Sequence, residues 1–150
     1  MKAVIQRVKN AIVHIDNVPV AQIENGMLIL LGVGIGDEKE DAEWLSSKIA
    51  KLRIFADENG LMNNDIKSIY GKIIVVSQFT LHAQTKKGNR PSYINAARPE
   101  QAIPLYEYFI ECLRKDAEVE VQTGKFGADM QVQLINDGPV TILIDTKNKE

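Results

Sequence analysis

Apolar and polar residues alternate with period two at the start of the chain. Val4, Gln6 and Val8 stand against Ile5, Arg7 and Lys9, and Ile12, His14 and Asp16 against Ala11, Val13 and Ile15. Successive side chains of a strand point to opposite faces, so this pattern predicts half-buried strands. Asn17–Pro19 carries turn residues, and Val20–Glu24 is a third strand candidate. Met27–Val33 breaks the alternation. It is apolar apart from Gly32, as expected for a strand covered on both faces.

The period then changes. After Gly32, Gly34 and Gly36, Asp37 with Glu40 three residues on approximates a capping box. Ala42, Leu45, Ile49 and Leu52 follow at helical spacing, with acids ahead of lysines as the helix dipole favours. Asp57–Asn64 holds turn residues, and Lys72–Phe79 is rich in β-branched residues, which predicts a central strand. His82–Ala97 has few apolar residues and is expected to be a long functional loop. Pro99 suits the first turn of a second helix. Ala102, Leu105, Tyr106, Phe109, Ile110 and Leu113 give that helix a broad apolar face, although Pro104 would kink it or delay its regular start. Glu118–Gln122, Gln131–Ile135 and Val140–Asp145 complete a set of about seven to nine strands and two helices. The expected architecture is a single α/β domain over residues 1–150, dominated by its sheet, with the two helices covering one face.

Composition narrows the class. With 150 residues, 45% hydrophobic and 25% charged, the chain matches an ordinary soluble domain rather than a disordered or fibrous one. Its longest apolar run is far short of the ~20 residues of a membrane span, and MKAVIQRVK lacks the apolar stretch of a signal peptide. The single Cys112 excludes an internal disulfide and points to a reducing compartment, so a cytoplasmic location is expected. A net charge of −2 argues against a bulk nucleic-acid binder. The distribution is less neutral. Between Ile66 and Pro99 there is no Asp or Glu, yet Lys67, Lys72, Lys86, Lys87, Arg90 and Arg98 fall there. The stretch is either a solvated basic loop or a local seat for phosphates.

Several chemistries find no support. Gly32-Val33-Gly34-Ile35-Gly36 resembles a dinucleotide loop, but Asp37 stands where the third glycine is needed, and Glu38, Glu40 and Asp41 would repel a pyrophosphate. His14, His82 and Cys112 share no metal-ligand spacing, so no metal or other cofactor is expected. Cys112 is expected as a buried structural thiol, and no Ser/His/Asp order is recognisable.

Two segments carry candidate chemistry. Ser77-Gln78-Phe79-Thr80-Leu81 places polar residues where the central strand meets its loop, a common setting for a ligand. Strand-end hydroxyls satisfying their own backbone would also account for it. Asn136-Asp137-Gly138-Pro139-Val140-Thr141, taken by itself, has the residues of a hairpin turn between two strands.

Together, SQFTL, NDGPVT and the opening MKAVIQRV resemble the bacterial D-aminoacyl-tRNA deacylase family. The resemblance extends over essentially the whole chain, including Gly124-Lys125-Phe126-Gly127-Ala128 and Lys87-Gly88-Asn89-Arg90-Pro91. It implies a deacylase-like fold of layered β/β/α type with a barrel-like sheet. It implies hydrolysis of the ester joining a D-amino acid, or achiral glycine, to the terminal adenosine of tRNA. Gly138-Pro139 would be a cis peptide whose carbonyls hold the α-amino group and leave no room for an L side chain. That segment would enter the recess of a partner copy, so a homodimer is implied. The backbone N–H groups of Phe79 and Thr80 would meet the oxyanion, and Gln78 and Ser77 would orient adenosine or carbonyl. Arg7 would support Gly138-Pro139, while Phe126, Met130 and Ala102 would line the adenosine pocket. Lys86, Lys87 and Arg90 would contact phosphates of the acceptor end. No DNA or membrane partner is implied. Two readings from other classes remain beside it: an RNA-end binding module without turnover, and a general esterase with Thr80 as covalent nucleophile.

Overall fold

The computed structural model describes residues 1–150. The chain opens with β1 (Lys2–Ile15), turns through Asp16 and Asn17, and returns as β2 (Val18–Ile23). Both turn residues have positive φ, as a two-residue hairpin loop requires. Next come β3 (Gly26–Gly32), α1 (Lys39–Ala50), the short pair β4 (Phe55–Ala56) and β5 (Met62–Asn64), and β6 (Lys72–Ser77). A 3-10 turn (Phe79–His82), α2 (Pro99–Ala117), β7 (Val121–Thr123) and β8 (Gln131–Asp145) complete the chain. The main sheet runs β2-β1-β3-β6-β7, with β8 on the other edge of β1. The β3, β6 and β7 strands are parallel, and β1 is antiparallel to β2, β3 and β8.

The apolar run of β3 is explained by its two neighbours. Met27, Ile29 and Leu31, with Ile73 and Val75 of β6, face α1 and α2 in one buried cluster. Leu28, with Ile74 and Val76, faces the opposite way, into a second cluster with Val8, Ala11, Val13, Ala21 and Ile23. The strands β1 and β2 reach that second cluster because β1 changes layer midway. Ala3 and Ile5 face the helices, whereas Val8, Ala11 and Val13 face the inner layer. Its pairing with β8 shifts register on both sides of Val8, and such bulges bend a strand. The sheet therefore curls over itself into a nearly closed barrel, with helices on its outer face. Across the remaining gap the Gln122 amide bonds the Gln22 backbone at both ends, Nε2 donating to O (2.9 Å) and Oε1 accepting from N–H (2.8 Å). The mixed α/β class, the barrel-like sheet and the two helices on one face agree with expectation.

Several local expectations are corrected. The N-cap of α1 is Glu38, whose N–H donates to Asp41 Oδ2 at 2.8 Å, rather than Asp37. Asp37 is buried and engaged elsewhere: it accepts from the Met1 ammonium and from Gly34 N–H, both at 2.6 Å. The helix α2 starts at Pro99 and runs through Pro104 without interruption. The central strand stops at Ser77, two residues early, where the 3-10 turn begins. Downstream there are two strands, not three. Asn136–Pro139 is not a hairpin turn, since β8 continues through it in one direction along β1. Cys112 is half-buried rather than fully so, and burial pushes its thiol pKa up, which leaves it a poor nucleophile.

Candidate functional site

At the carboxyl ends of the parallel strands lies a recess of about 300 Å³, the place where open α/β sheets bind ligands. Ser77, Gln78 and Phe79 form one wall, Ala97 and Ala102 at the start of α2 another, and Phe126–Met130 of the β7–β8 connection the roof. Phe126 is propped edge-on against Tyr106 (centroids 5.6 Å apart), whose buried hydroxyl donates to the Val75 carbonyl at 3.1 Å. Met130 folds over Gly124, where a Cβ would lie 2.4 Å from its sulfur. Gly32 permits the approach of the 3-10 turn, since a Cβ there would sit 2.8 Å from the Gln78 carbonyl oxygen.

The chemistry available in the recess is that of amides, not of an acid–base pair. Asp129 is its one charged lining residue. The first bond of the 3-10 turn runs from Leu81 N–H to Gln78 O (3.3 Å), so the N–H groups of Phe79 and Thr80 precede any bond within the turn. The Gln78 side-chain amide donates to the Thr80 hydroxyl. Thr80 also lines a neighbouring groove, with Trp44 and Leu143.

The second motif forms a corner in β8. Val8 pairs with Asn136 and Gln6 with Thr141, so residues 137–140 bulge out opposite Arg7. The Gly138–Pro139 peptide bond is cis, and both residues are exposed. Gly138 has φ +138°, a conformation that L side chains rarely adopt. Asn136 latches the base of the corner: its Oδ1 accepts from Val140 N–H (2.9 Å) and its Nδ2 donates to Thr141 Oγ1 (3.0 Å). Arg7 braces it from beneath. Its Nε donates to the Asp137 carbonyl at 2.9 Å and its Nη1 to the Ile54 carbonyl at 2.6 Å.

The structure thus brings Ser77, Gln78, Phe79, Ala102, Phe126 and Met130 around one recess, and Arg7 against Gly138-Pro139 at another place. The two places are apart within one chain. Arg7 is level with Met27, whereas Ser77 is level with Leu31 and Ala3. That is four residues along the strands, about 13 Å, and three strands across, about 14 Å. Lys86, Lys87 and Arg90 are exposed on the loop whose neck is the Gln84–Ser92 backbone pair. Sequence reasoning missed the Asn136 latch and Tyr93, which meets the Phe79 ring edge-on at 5.1 Å. A lone aromatic in a polar loop was the available signal for Tyr93.

Comparison with known proteins places the chain in a class of enzymes. The chain is 63% identical to a D-aminoacyl-tRNA deacylase of Flavobacterium psychrophilum and 61% identical to one of Cytophaga hutchinsonii, over 100% of both chains in each case. Such proteins are hydrolases that act on an ester bond. The family profile described as D-Tyr-tRNA(Tyr) deacylase matches residues 4–145, and the chain belongs to that family. Among solved structures it resembles one titled c-Myc DNA Unwinding Element Binding Protein, with TM-score 0.90 and 41% identity over 97% of this chain and 98% of the other. A probable eukaryotic D-amino acid tRNA deacylase shares the fold at 14% identity, with TM-score 0.81 over 95% and 97% of the two chains.

Proposed function

We propose that this protein hydrolyses the ester between a D-amino acid and the terminal adenosine of tRNA, and likewise glycyl-tRNA, while sparing L-aminoacyl-tRNA. The observation that carries this reading is the recess. Its ~300 Å³ falls within the range of small-molecule sites. It is lined by apolar surface for a base, by Phe126, Met130 and Ala102, and by Ser77, Gln78 and Phe79 of the strand end.

An aminoacyl ester is already activated, so the protein's task is positioning and charge stabilisation. The N–H groups of Phe79 and Thr80 receive the oxyanion as water adds to the carbonyl, each such donor being worth roughly 3 kcal/mol. Gln78 and Ser77 orient the ester, and the ribose 2′-hydroxyl helps activate the water. Lys86, Lys87 and Arg90 meet phosphates of the acceptor end, which adds salt-dependent affinity without reading sequence. Chirality is screened by Gly138-Pro139, whose carbonyls hold the α-amino group where an L side chain would collide. The separation of that corner from the recess within one chain supports its being supplied by the second copy of a homodimer. The reading uses no cofactor, DNA or membrane, and places the enzyme in the cytoplasm with its substrate.

Incubation with D-Tyr-tRNA, L-Tyr-tRNA and Gly-tRNA tests this. Release of D-tyrosine and glycine with L-Tyr-tRNA left intact is expected. Release of both tyrosine enantiomers would indicate an unselective esterase, and binding of the tRNA with no release an RNA-end binding module.

A further inference from the structure

The rim of the recess carries an exposed aromatic pair. Phe79 is 55% and Tyr93 38% exposed, and their rings meet at 76° with centroids 5.1 Å apart. Phe79 also lines the recess, so the pair is continuous with it. Between the two rings in sequence runs the loop with exposed Lys86, Lys87 and Arg90, drawn closed by Gln84–Ser92 backbone bonds of 2.8 and 3.0 Å. Lys67 and Lys72, earlier in the acid-free stretch 66–99, pair with Glu118 and Glu120, whereas Lys86, Lys87 and Arg90 make no ion pair. The proposed reaction uses the Phe79 backbone but neither ring.

Exposed rings flanked by cations suit single-stranded nucleic acid, whose bases stack on aromatic faces while its phosphates meet the charges. The second copy proposed above reaches the recess through its Gly138-Pro139 corner, so the occupant of the rings is decided by charge: the cationic loop between them favours a polyanion over an apolar protein surface. We infer that Tyr93, held against the Phe79 ring, is a stacking platform for the nucleotide that precedes the terminal adenosine. The enzyme then holds its RNA by two consecutive bases. This inference rests on the assignment of the recess to the terminal adenosine.

The test compares D-Tyr-tRNA with 3′-O-(D-tyrosyl)adenosine, which has no preceding nucleotide, in the full-length protein and in Tyr93→Ala and Tyr93→Phe. Tyr93→Ala is expected to raise KM for D-Tyr-tRNA by ~10-fold with little change in kcat. The advantage of tRNA over the nucleoside ester should shrink by the same factor, and Tyr93→Phe, which keeps the ring, should restore it. Equal losses on both substrates would overturn the platform, as would no loss on either. So would a smaller species for Tyr93→Ala in size-exclusion chromatography, which would make the ring part of a contact between copies. Each of these leaves the wild-type enzyme active on the nucleoside ester. A wild-type enzyme inactive on both esters would overturn the underlying reading and the platform with it.

Discussion

Thr80 shows how a side chain's role depends on the turn it occupies. Along a strand, successive side chains alternate by about 180°, but along a 3-10 turn they step by about 120°. The turn begins at Phe79, Thr80 is not among the residues that line the recess, and its hydroxyl accepts from Gln78 Nε2. No histidine or lysine lines the recess to activate it. Thr80→Val should therefore keep kcat/KM for D-Tyr-tRNA within ~10-fold of wild type; loss of ~1000-fold or more would assign the hydroxyl a covalent role. The candidate residues of this strand end were legible from polar residues closing an apolar run. The side-chain directions were not, because the change of backbone period at Phe79 leaves no composition signal. Tyr106 is a parallel case. Its helical spacing predicted a core position, but its bond to the Val75 carbonyl depends on packing, and burial pushes its pKa up to about 12, so the phenol remains a neutral donor.

At the scale of elements, the corner in β8 depends on the strand beside it. Asn-Asp-Gly-Pro suits a hairpin turn equally well, and what decides between turn and bulge is a long, continuous β1 that pairs on both sides of the corner. A pairing between residues more than 120 positions apart is invisible to local pattern. Arg7 holds the arrangement through the Asp137 and Ile54 carbonyls. Arg7→Gln should loosen the corner, lower kcat/KM for D-Tyr-tRNA by at least ~10-fold and lower Tm by several degrees, since bonds from a charged donor are worth roughly 1.5–3 kcal/mol. If rate and D/L ratio are both unchanged, Arg7 has no part in the site. Helix placement was more legible: Pro99 opens α2 as expected, while the cap of α1 moved by one residue because Asp37 is drawn into the core by the Met1 ammonium.

At the scale of the molecule, the two ends of the chain are tied together. The Met1 ammonium bonds Asp37 and Thr146, and Lys147 Nζ bonds Asp41 Oδ2 at 2.7 Å. Burial acts to raise the Asp41 pKa, but the Lys147 ammonium, the Glu38 N–H and the Thr146 hydroxyl outweigh it and hold it at about 2. The folded state thus favours the carboxylate. Its contribution is complete above the ordinary value of 3.8 and is lost as pH falls from there toward 2. Asp41→Asn should lower Tm at neutral pH and flatten the fall of Tm between about pH 4 and pH 2; an unaltered slope would remove Asp41 from the acid limb. By itself the sequence determined both helices, the opening strands and the central strand, the two-faced burial of β3 and the residues of both motifs. These follow from side-chain period and local backbone preference, which neighbours in sequence already express. Only the tertiary structure decided that β1 changes layer, that the barrel nearly closes, and that the corner stands three strands from the recess. Those depend on register between distant strands, a free energy that no single segment contains.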